Sequence, residues 1–350
     1  MAFNIRRKYK IVFLFLALIT LILFWQRVWV VYFYQQAKGG LDVAFNTRPL
    51  QEVLADKTVP DSLKKRILFI GEVRRFAIDS LGLHDNPDVY QTLYDQSGKP
   101  LVYLLTVAKR YEMEAVMFDF PIIGSFAYKG FFDSTAAYQE ENIWKQKGYD
   151  TEMGQGIAYS TLGWLPEPIL SSMLYYSDGK LANLIIHEMS HGTIFVKDNH
   201  ETSENLANSI GEYGAKRFLI HKYGLDSPEL KKYLQAKIIR DKYVRHLNRG
   251  TLKLDSLYQT FKGKNILDAR KDSLKYALIE KIEVNQDTIY KSLRVLPKPK
   301  ISKKELPNNA YFVGFKTYHS QQNEFEEIFQ KQFNGNFDQF LKFFQKKYNQ

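Results

Sequence analysis

The spacing of apolar and polar residues predicts that most of this chain is helical. Apolar side chains recur at intervals of three to four residues, which is typical of amphipathic helices. The segments predicted as helices are residues 59–83 with the start signal Pro60-Asp61, residues 133–150 capped by Asp133 or Ser134, a segment capped by Ser177 or Asp178, residues 201–223, most of the charged region 228–294, and one or two amphipathic helices in the last forty residues.

Strands are predicted in two shorter stretches. Residues 101–132 are rich in β-branched and aromatic side chains, and residues 156–164 (GIAYSTLGW) are typical of a short strand or extended segment. The proline- and lysine-rich residues 295–307 predict an extended connector. No internal repeat is present. The pattern therefore predicts one α+β domain over residues 34–350, mainly α with a small β-sheet.

An apolar run near the N-terminus predicts a transmembrane helix over residues 11–33. About 20 apolar residues cross a bilayer, and this run is long enough if Gln26 and Arg27 lie at the far interface. Four basic residues within residues 1–10 predict a cytoplasmic N-terminus, with the rest of the chain on the other side of the membrane. A cleaved signal peptide is the alternative. An uncleaved anchor is favoured because bulky residues stand where a cleavage site needs small ones.

Composition narrows the chemistry further. The chain has 350 residues, of which 45% are hydrophobic, so it can bury a sizeable core. It contains no cysteine, which excludes disulfides, thiolate metal sites and a cysteine nucleophile. The net charge is +11, but no nucleic-acid-binding motif accompanies it. A solvated basic face is therefore favoured, and no nucleic-acid partner is predicted.

The segment HEMSH at residues 187–191 follows the H-E-x-x-H pattern. On a helix, residues four apart share one face, so His187 and His191 can bind the same metal ion. Glu188 lies about 100° around the helix from His187, where it can reach a water molecule on the metal without binding the metal itself. The alternative is a buried helix whose histidines are satisfied by hydrogen bonds within the core. The pattern favours the metal site.

A catalytic zinc needs a third protein ligand. Downstream residues with suitable side chains are Asp198, His200, Glu201, Glu204 and Glu212. Glu204 is favoured because Ala207, Gly211 and Ala215 share its helix face, and these small residues allow a close approach to the motif helix. The alternative is that the polar residues of this segment form only a solvated stripe.

Several segments of the chain resemble a known family, the predicted aminopeptidases of the bacterial cell envelope, which are gluzincin-like zinc metallopeptidases. The similar segments are YQQAKGG near the apolar run, FPIIGSFAYKGFFD at residues 120–133, KGYDTEMGQGIAYSTLGWLPEPILSSML at residues 147–174, the H-E-x-x-H helix, SENLANSIGEYGA from Ser203, and LPNNAYFVGFKTY at residues 306–318.

The resemblance implies a single zincin-like domain that binds Zn²⁺ and hydrolyses peptides. His187 and His191 match the metal-binding histidines of the family, Glu188 its general base and Glu204 its downstream glutamate. The resemblance also implies a protein of the bacterial cell envelope. Together with the predicted anchor, this predicts a single-pass protein of the inner membrane with a periplasmic catalytic domain. The chain departs from the family in lacking a lipoprotein cysteine, and it carries a hydrophobic helix instead.

Peptide hydrolysis would require further groups beside the metal. The candidates for the donor that stabilises the oxyanion are Tyr159, Tyr318 and Tyr128, although packing of aromatic rings explains each of them as well. The carboxylates considered for binding the free ammonium of an aminopeptidase substrate are Glu201, Glu212 and Asp133. The strand predicted at residues 156–164 could pair with an extended substrate or belong to the core.

Two other functions stay open from the residues alone. The chain could be a non-enzymatic envelope scaffold or binding protein with a structural or vestigial metal site, in which Asp198 or His200 supplies a fourth ligand. It could also be an endopeptidase or a cell-wall peptide hydrolase. The glutamate inside H-E-x-x-H argues for an enzyme, since a structural site needs no base. No protein partner is predicted.

Overall fold

A computed structural model of the protein describes Phe13 and residues 27–120, 124–156, 166–194, 196, 199–292, 306–319 and 322–348. Several predictions lie outside these residues: most of the predicted anchor, most of the strand at residues 156–164 with its Tyr159, and most of the connector at residues 295–307. The division of the chain into a basic N-terminus, an anchor and a domain over residues 34–350 stays a prediction.

Helices dominate the described residues. They are α1 (Arg27–Phe45), α2 (Leu50–Ala55), α3 (Asp61–Leu81), α4 (Ser134–Gln146), α5 (Asp178–His191), α6 (His200–Tyr223), α7 (Pro228–Gln259), α8 (Asp268–Ser292), α9 (Asn309–His319), α10 (Gln322–Phe333) and α11 (Phe337–Tyr348). A 3-10 helix, Ser171–Tyr175, precedes α5. The prediction of a mainly helical chain is confirmed.

The helix starts follow local capping chemistry. Pro60 precedes α3 as predicted, and the Asp133 side chain accepts a hydrogen bond of 2.7 Å from Ala136 N at the start of α4. Ser177 precedes α5 but makes no side-chain cap. Asn199 caps α6 by accepting from the backbone of its first turn, so that helix begins one residue earlier than predicted.

The strands form three small sheets rather than the single sheet that was predicted. The strands are β1 (Thr47–Pro49), β2 (Val89–Tyr94), β3 (Tyr103–Ala108), β4 (Phe118–Phe120), β5 (Gly124–Phe126), β6 (Tyr128–Phe131), β7 (Asp150–Gln155) and β8 (Glu167–Leu170). The sheet orders are β1-β2-β8, β6-β3-β7 and β4-β5, and only the β2–β8 pair is parallel among them. Residues 101–132 were predicted to form strands and supply four of them, whereas β1, β2, β7 and β8 were not predicted.

Three clusters of buried apolar residues hold these elements together. The largest lies between α3, α5 and α6 and extends to β2, β8, α10 and α11. A second lies between α7, α8 and α9, and a third joins α1 to β3, β4, β6 and α4. The first cluster positions the two helices that carry the metal-ligand candidates.

No helix in the described part of the chain has the length and apolar character needed to cross a membrane. The end of the predicted span, residues 27–33, belongs to α1, where the Tyr32 hydroxyl donates a hydrogen bond of 3.0 Å to Gly130 O. The anchor predicted over residues 11–33 thus has no support from the described helices, and it stays a prediction.

A buried polar network joins the second cluster to β7. Lys275 of α8 is fully buried, forms an ion pair with Asp150 and donates a hydrogen bond of 3.0 Å to Arg110 O. The Asn309 backbone N–H also donates to Asp150 at 2.9 Å, and the Tyr258 hydroxyl donates to the Asn309 side chain at 2.6 Å. Burial lowers the pKa of Lys275. Because every charge in this network has partners, the network ties four elements into one arrangement.

We expect Lys275→Met to lower the free energy of unfolding by about 3–5 kcal/mol, because it leaves Asp150 buried without its cationic partner. Urea denaturation measures the change. Lys271→Met is the matched control on the same helix, since Lys271 pairs with Asp268 at the surface, and it should cost less than about 1 kcal/mol. Equal losses in the two variants would show that the buried pair is not a stabilising contact.

Candidate metal centre

Helices α5 and α6 pack side by side and run in opposite directions. Glu204, near the start of α6, lies beside His191, and Gly211 lies beside Asn183 and His187 further back along α5. A Cβ atom built on Gly211 would lie 2.9 Å from Asn183 O and 3.1 Å from His187 Cβ. The two helices therefore approach more closely here than any residue with a side chain allows.

Small residues continue along the contact. Ala207 and Ala215 are buried, and a Cβ atom on Gly214 would lie 2.7 Å from Ile186 Cγ2. The small-residue face predicted for α6 is confirmed, and it brings that helix against the histidine helix.

His187, His191 and Glu204 converge on one point. The two Nε2 atoms are 3.3 Å apart, and the Glu204 carboxylate straddles them, with Oε2 at 3.5 Å from His187 Nε2 and Oε1 at 3.4 Å from His191 Nε2. Their side chains are 12–16% exposed. In the described residues these three form the group that could hold a metal ion. The structure thus brings together the three residues that the sequence predicts as ligands, and their role as ligands stays a prediction.

The spacing of these donor atoms fits a tetrahedral metal ion. Two donors about 2.1 Å from a tetrahedral zinc lie about 3.4 Å apart, and the observed separations of 3.3–3.5 Å are close to that edge length. Two imidazole nitrogens and one carboxylate are also the donor set of catalytic zinc sites, which leave a fourth position for water or substrate. The residues present therefore fit a zinc ion.

Hydrogen bonds orient the first histidine. The His187 side chain interacts with Glu204 and with the Asn208 side chain one turn further along α6. Burial lowers the pKa of His187, but these hydrogen bonds and the charges of Glu188 and Glu204 act more strongly, so its pKa lies above the usual value. A metal ion must displace that proton, and metal binding should therefore weaken as pH falls.

Glu188 directly follows the first histidine on α5 and is partly buried. Burial raises the pKa of its carboxyl to about 7; the charge of His187 lowers it, and the charges of Glu204 and Glu167 raise it. A carboxylate with a pKa near neutrality can exchange protons in both directions at neutral pH. That property suits the role of general base predicted for Glu188.

The C-terminal end of α5 is held by short-range hydrogen bonds. Ser190 Oγ donates to His187 O at 2.7 Å, and Thr193 Oγ1 donates to Met189 O at 3.1 Å. The backbone N–H of His84 in turn donates to Thr193 Oγ1 at 2.9 Å. This contact ties the segment that leads into β2 to the end of the histidine helix.

The other predicted candidates lie elsewhere or outside the described residues. Glu212 pairs with Lys237 and Arg240 of α7, and Asp133 caps α4. Glu201 lies in the first turn of α6 and outside the ligand group. Tyr128 begins β6. The structure does not describe Asp198, Tyr159 or the side chains of His200 and Tyr318.

Two residues beside Glu188 were not predicted from the sequence. Tyr90 is buried and has a positive φ of 59°, which is unusual for a bulky residue. Burial and the charges of Glu188 and Glu167 raise the pKa of Tyr90 well above its usual value. Glu167, in the family-like segment upstream of α5, had a sequence signal; Tyr90 had none.

We expect Gly211→Ala to lower the free energy of unfolding by about 1–3 kcal/mol and to weaken metal binding, because the new methyl group forces α5 and α6 apart. Thermal denaturation and metal titration measure the two effects. The control is Gly71→Ala in α3, where no atom lies within 4 Å of the added Cβ. That variant should gain up to about 1 kcal/mol from helix propensity. If Gly211→Ala had the same free energy of unfolding as the wild type, the close packing of α5 and α6 would be contradicted.

Comparison with known proteins adds one match. The sequence model of a family described as "putative aminopeptidase" matches residues 31–349, which is most of the chain. No curated protein and no solved structure matches the chain. The matched range contains both helices of the candidate centre and the strand that carries Glu167.

Proposed function

The chain belongs to the family of "putative aminopeptidases", and on that premise we propose that it is a zinc-dependent aminopeptidase. His187, His191 and Glu204 would hold the zinc ion, and Glu188 would act as general base. The peptide substrate follows from the family. Zinc and the catalytic roles are inferred from the residues of the centre.

One observation carries this function: three donor groups lie 3.3–3.5 Å apart, at the spacing that a tetrahedral ion requires, with a partly buried carboxylate directly after the first histidine. A structural metal site would use four protein ligands and would need no base. Glu188 lies outside the ligand group in the described residues, where it is available for chemistry. These features support hydrolysis over the alternative of a scaffold protein.

The residues divide the work of peptide hydrolysis. When bound, zinc supplies a Lewis acid that polarises the peptide carbonyl and lowers the pKa of water. Glu188 accepts a proton from the attacking water and passes it to the nitrogen of the leaving amine. Because burial raises the pKa of Glu188 to about 7, its protonated and deprotonated forms are both populated near neutral pH, and the side chain can accept and return the proton. Asn208 orients His187 toward the ligand point.

The test is hydrolysis of a peptide panel by the metal-free protein before and after addition of zinc. The panel pairs each free-amine peptide with its N-acetylated form. Zinc-dependent release of the N-terminal amino acid from free-amine peptides alone is the expected result. Cleavage of acetylated peptides would support the endopeptidase alternative. No hydrolysis with one zinc bound per chain would support the non-enzymatic alternative.

We expect kcat/KM to fall as pH drops through an acidic limb at or below about pH 7, because protonated Glu188 cannot accept a proton from water. The pKa of about 7 for this carboxyl is the upper limit for the midpoint of the acidic limb, because a bound zinc ion would lower that pKa. Initial rates between about pH 5 and 9, at saturating zinc, give the profile. A rate independent of pH over that range would contradict the role of Glu188.

We also propose that residues 11–33 anchor the protein in the bacterial inner membrane, with the N-terminus in the cytoplasm and the catalytic domain in the periplasm. The apolar run and the basic residues before it support this placement. Alkaline extraction of membranes tests it, because an anchored chain stays in the membrane pellet and a peripheral chain is released.

A further inference from the structure

Helix α1 lies along the domain and packs on it with one side. Tyr32 is buried, and its hydroxyl donates a hydrogen bond of 3.0 Å to Gly130 O. Two turns further, a Cβ atom built on Gly39 would lie 2.1 Å from Cγ of Phe132, so only glycine allows this approach. Val43, one turn after Gly39, is fully buried. These contacts extend over about three helical turns and hold α1 against the domain instead of letting it project.

The opposite side of α1 is apolar and exposed. At about 100° per residue, five exposed apolar side chains lie within one arc of about 100°, on the side of the helix away from Tyr32 and Val43. We call them the outer face of α1, and they are Val30, Val31, Tyr34, Leu41 and Phe45. Tyr34 is 67% exposed and Phe45 is 79% exposed.

The outer face extends along most of the helix. Val30 and Phe45 are fifteen residues apart, which corresponds to about 22 Å along the helix axis. In the described part of the chain, no residue of the outer face belongs to one of the three buried apolar clusters. A continuous apolar face that a domain leaves exposed marks contact with another apolar surface.

The charges of α1 favour an anionic surface. Arg27 and Lys38 are exposed and lie within the arc of the outer face. The single acidic residue of α1, Asp42, accepts a hydrogen bond of 2.8 Å from the Tyr94 hydroxyl of β2, which draws its carboxylate toward the domain. Apolar and aromatic side chains accompanied by cations are typical of helices that lie in the interface of an anionic membrane.

The sequence before α1 points to the same partner. Residues 11–25 are an unbroken apolar run, and Gln26 alone separates that run from the first residue of α1. An apolar run of this kind is suited to the hydrocarbon core of a bilayer. The outer face of α1 therefore follows directly on a segment with membrane composition, which favours lipid over a protein as its partner.

We propose that α1 lies parallel to the membrane surface, with its outer face in the headgroup region, and that the domain docks on the bilayer along this helix. The inference goes beyond peptide hydrolysis and rests on the membrane location proposed for the chain. It makes a demand that an anchor alone does not make. If α1 only continued the anchor straight out of the bilayer, Phe45 would lie about 22 Å further from the membrane than Val30. In the parallel arrangement both ends of the outer face lie at one depth.

The experiment measures that depth in the full chain. Because the chain has no cysteine, Tyr34→Cys and Phe45→Cys each give a single site for a thiol-reactive fluorophore. The control is Leu267→Cys, since Leu267 is 79% exposed like Phe45 and lies between α7 and α8. The labelled proteins are reconstituted in vesicles of phosphatidylcholine with about one quarter phosphatidylglycerol, with and without lipids that carry a nitroxide quencher at the top of the acyl chain.

We expect the nitroxide lipids to lower the fluorescence at residues 34 and 45 by about half or more, and to a similar extent at both. At residue 267 the loss should be less than about one tenth. If residue 34 is quenched and residue 45 is quenched no more than residue 267, the docking of α1 is overturned while the anchor stands.

Two other outcomes would also overturn the docking. If a water-soluble quencher fails to reach residues 34 and 45 and the nitroxide lipids do not quench them either, a protein surface such as a second copy of the chain covers the outer face. If the chain does not associate with the vesicles at all, the docking and the proposed membrane location both fail. The proposed peptidase function is independent of these results, because hydrolysis of the peptide panel tests it.

A charge placed in the outer face provides a second test. In the labelled Phe45→Cys protein, Leu41→Glu should lower the lipid quenching at residue 45 by about 2-fold or more, because it puts a carboxylate against the acyl chains. Leu225→Glu is the matched control, since Leu225 is 71% exposed and lies between α6 and α7. It should leave the quenching unchanged. Thermal denaturation checks that both variants are folded, and equal quenching in the two would contradict the docking.

Discussion

Glu188→Gln is expected to lower kcat for peptide hydrolysis by about 10²- to 10⁴-fold, the range typical of lost general acid–base catalysis. Glutamine has nearly the same shape but cannot accept a proton from water at neutral pH. Since Glu188 lies outside the ligand group, the variant should still bind one zinc ion per chain. Steady-state kinetics on a free-amine peptide and metal analysis of the same sample measure both quantities.

The interpretation of this variant depends on the metal content. A loss of activity together with a loss of zinc would show that Glu188 supports the ligands rather than the proton transfer. Full activity with zinc bound would contradict the proposed mechanism. Glu188→Gln should also abolish the acidic limb in whatever residual rate remains, because the titrating group is gone. A merely structural glutamate would leave that limb in place.

Glu204→Gln is expected to weaken zinc binding by more than the 10- to 100-fold typical of mutations in residues that only orient ligands, because it removes a charged ligand. Activity at limiting zinc should fall in parallel. The physical reason is that an amide oxygen is a neutral and weaker donor than a carboxylate, and that the centre loses one of the charges that balance the dication. Competition with a chromophoric chelator measures the zinc affinity.

Glu201→Gln is the matched control for this variant. Glu201 lies three residues earlier on α6 and was a candidate ligand on sequence alone, yet it lies outside the ligand group. We expect it to keep the zinc affinity of the wild type. If Glu201→Gln lost zinc and Glu204→Gln did not, the metal centre would differ from the one the helices form here.

The two variants also distinguish the competing functions. A scaffold protein with a structural zinc would lose stability in Glu204→Gln, because metal binding contributes folding free energy at such sites. Its stability would not change in Glu188→Gln. A hydrolase depends on both residues, but through different observables, namely metal affinity for Glu204 and turnover for Glu188. Measuring both therefore assigns each residue a separate role.

The sequence by itself determined most of the helices and the metal-ligand candidates. Helical spacing places His187 and His191 on one face, and the small residues after Glu204 predict a close helix contact; both are local properties of the chain. The α+β class is confirmed, and the family resemblance is confirmed as far as membership of the "putative aminopeptidases". The zinc, the catalytic roles and the membrane anchor remain predictions.

Only the tertiary structure decided which distant residues share the site. The convergence of Glu204 with the histidines depends on how α5 and α6 pack, and the packing at Gly211 determines that approach. Tyr90 and Glu167, which interact electrostatically with Glu188, lie on the parallel β2–β8 pair, whose strands are more than seventy residues apart in the chain. The spacing of residues along the chain predicts only which side chains share a face of one helix or strand. Pairing between distant strands depends on the whole buried core, and for that reason these two residues could not be identified from local pattern.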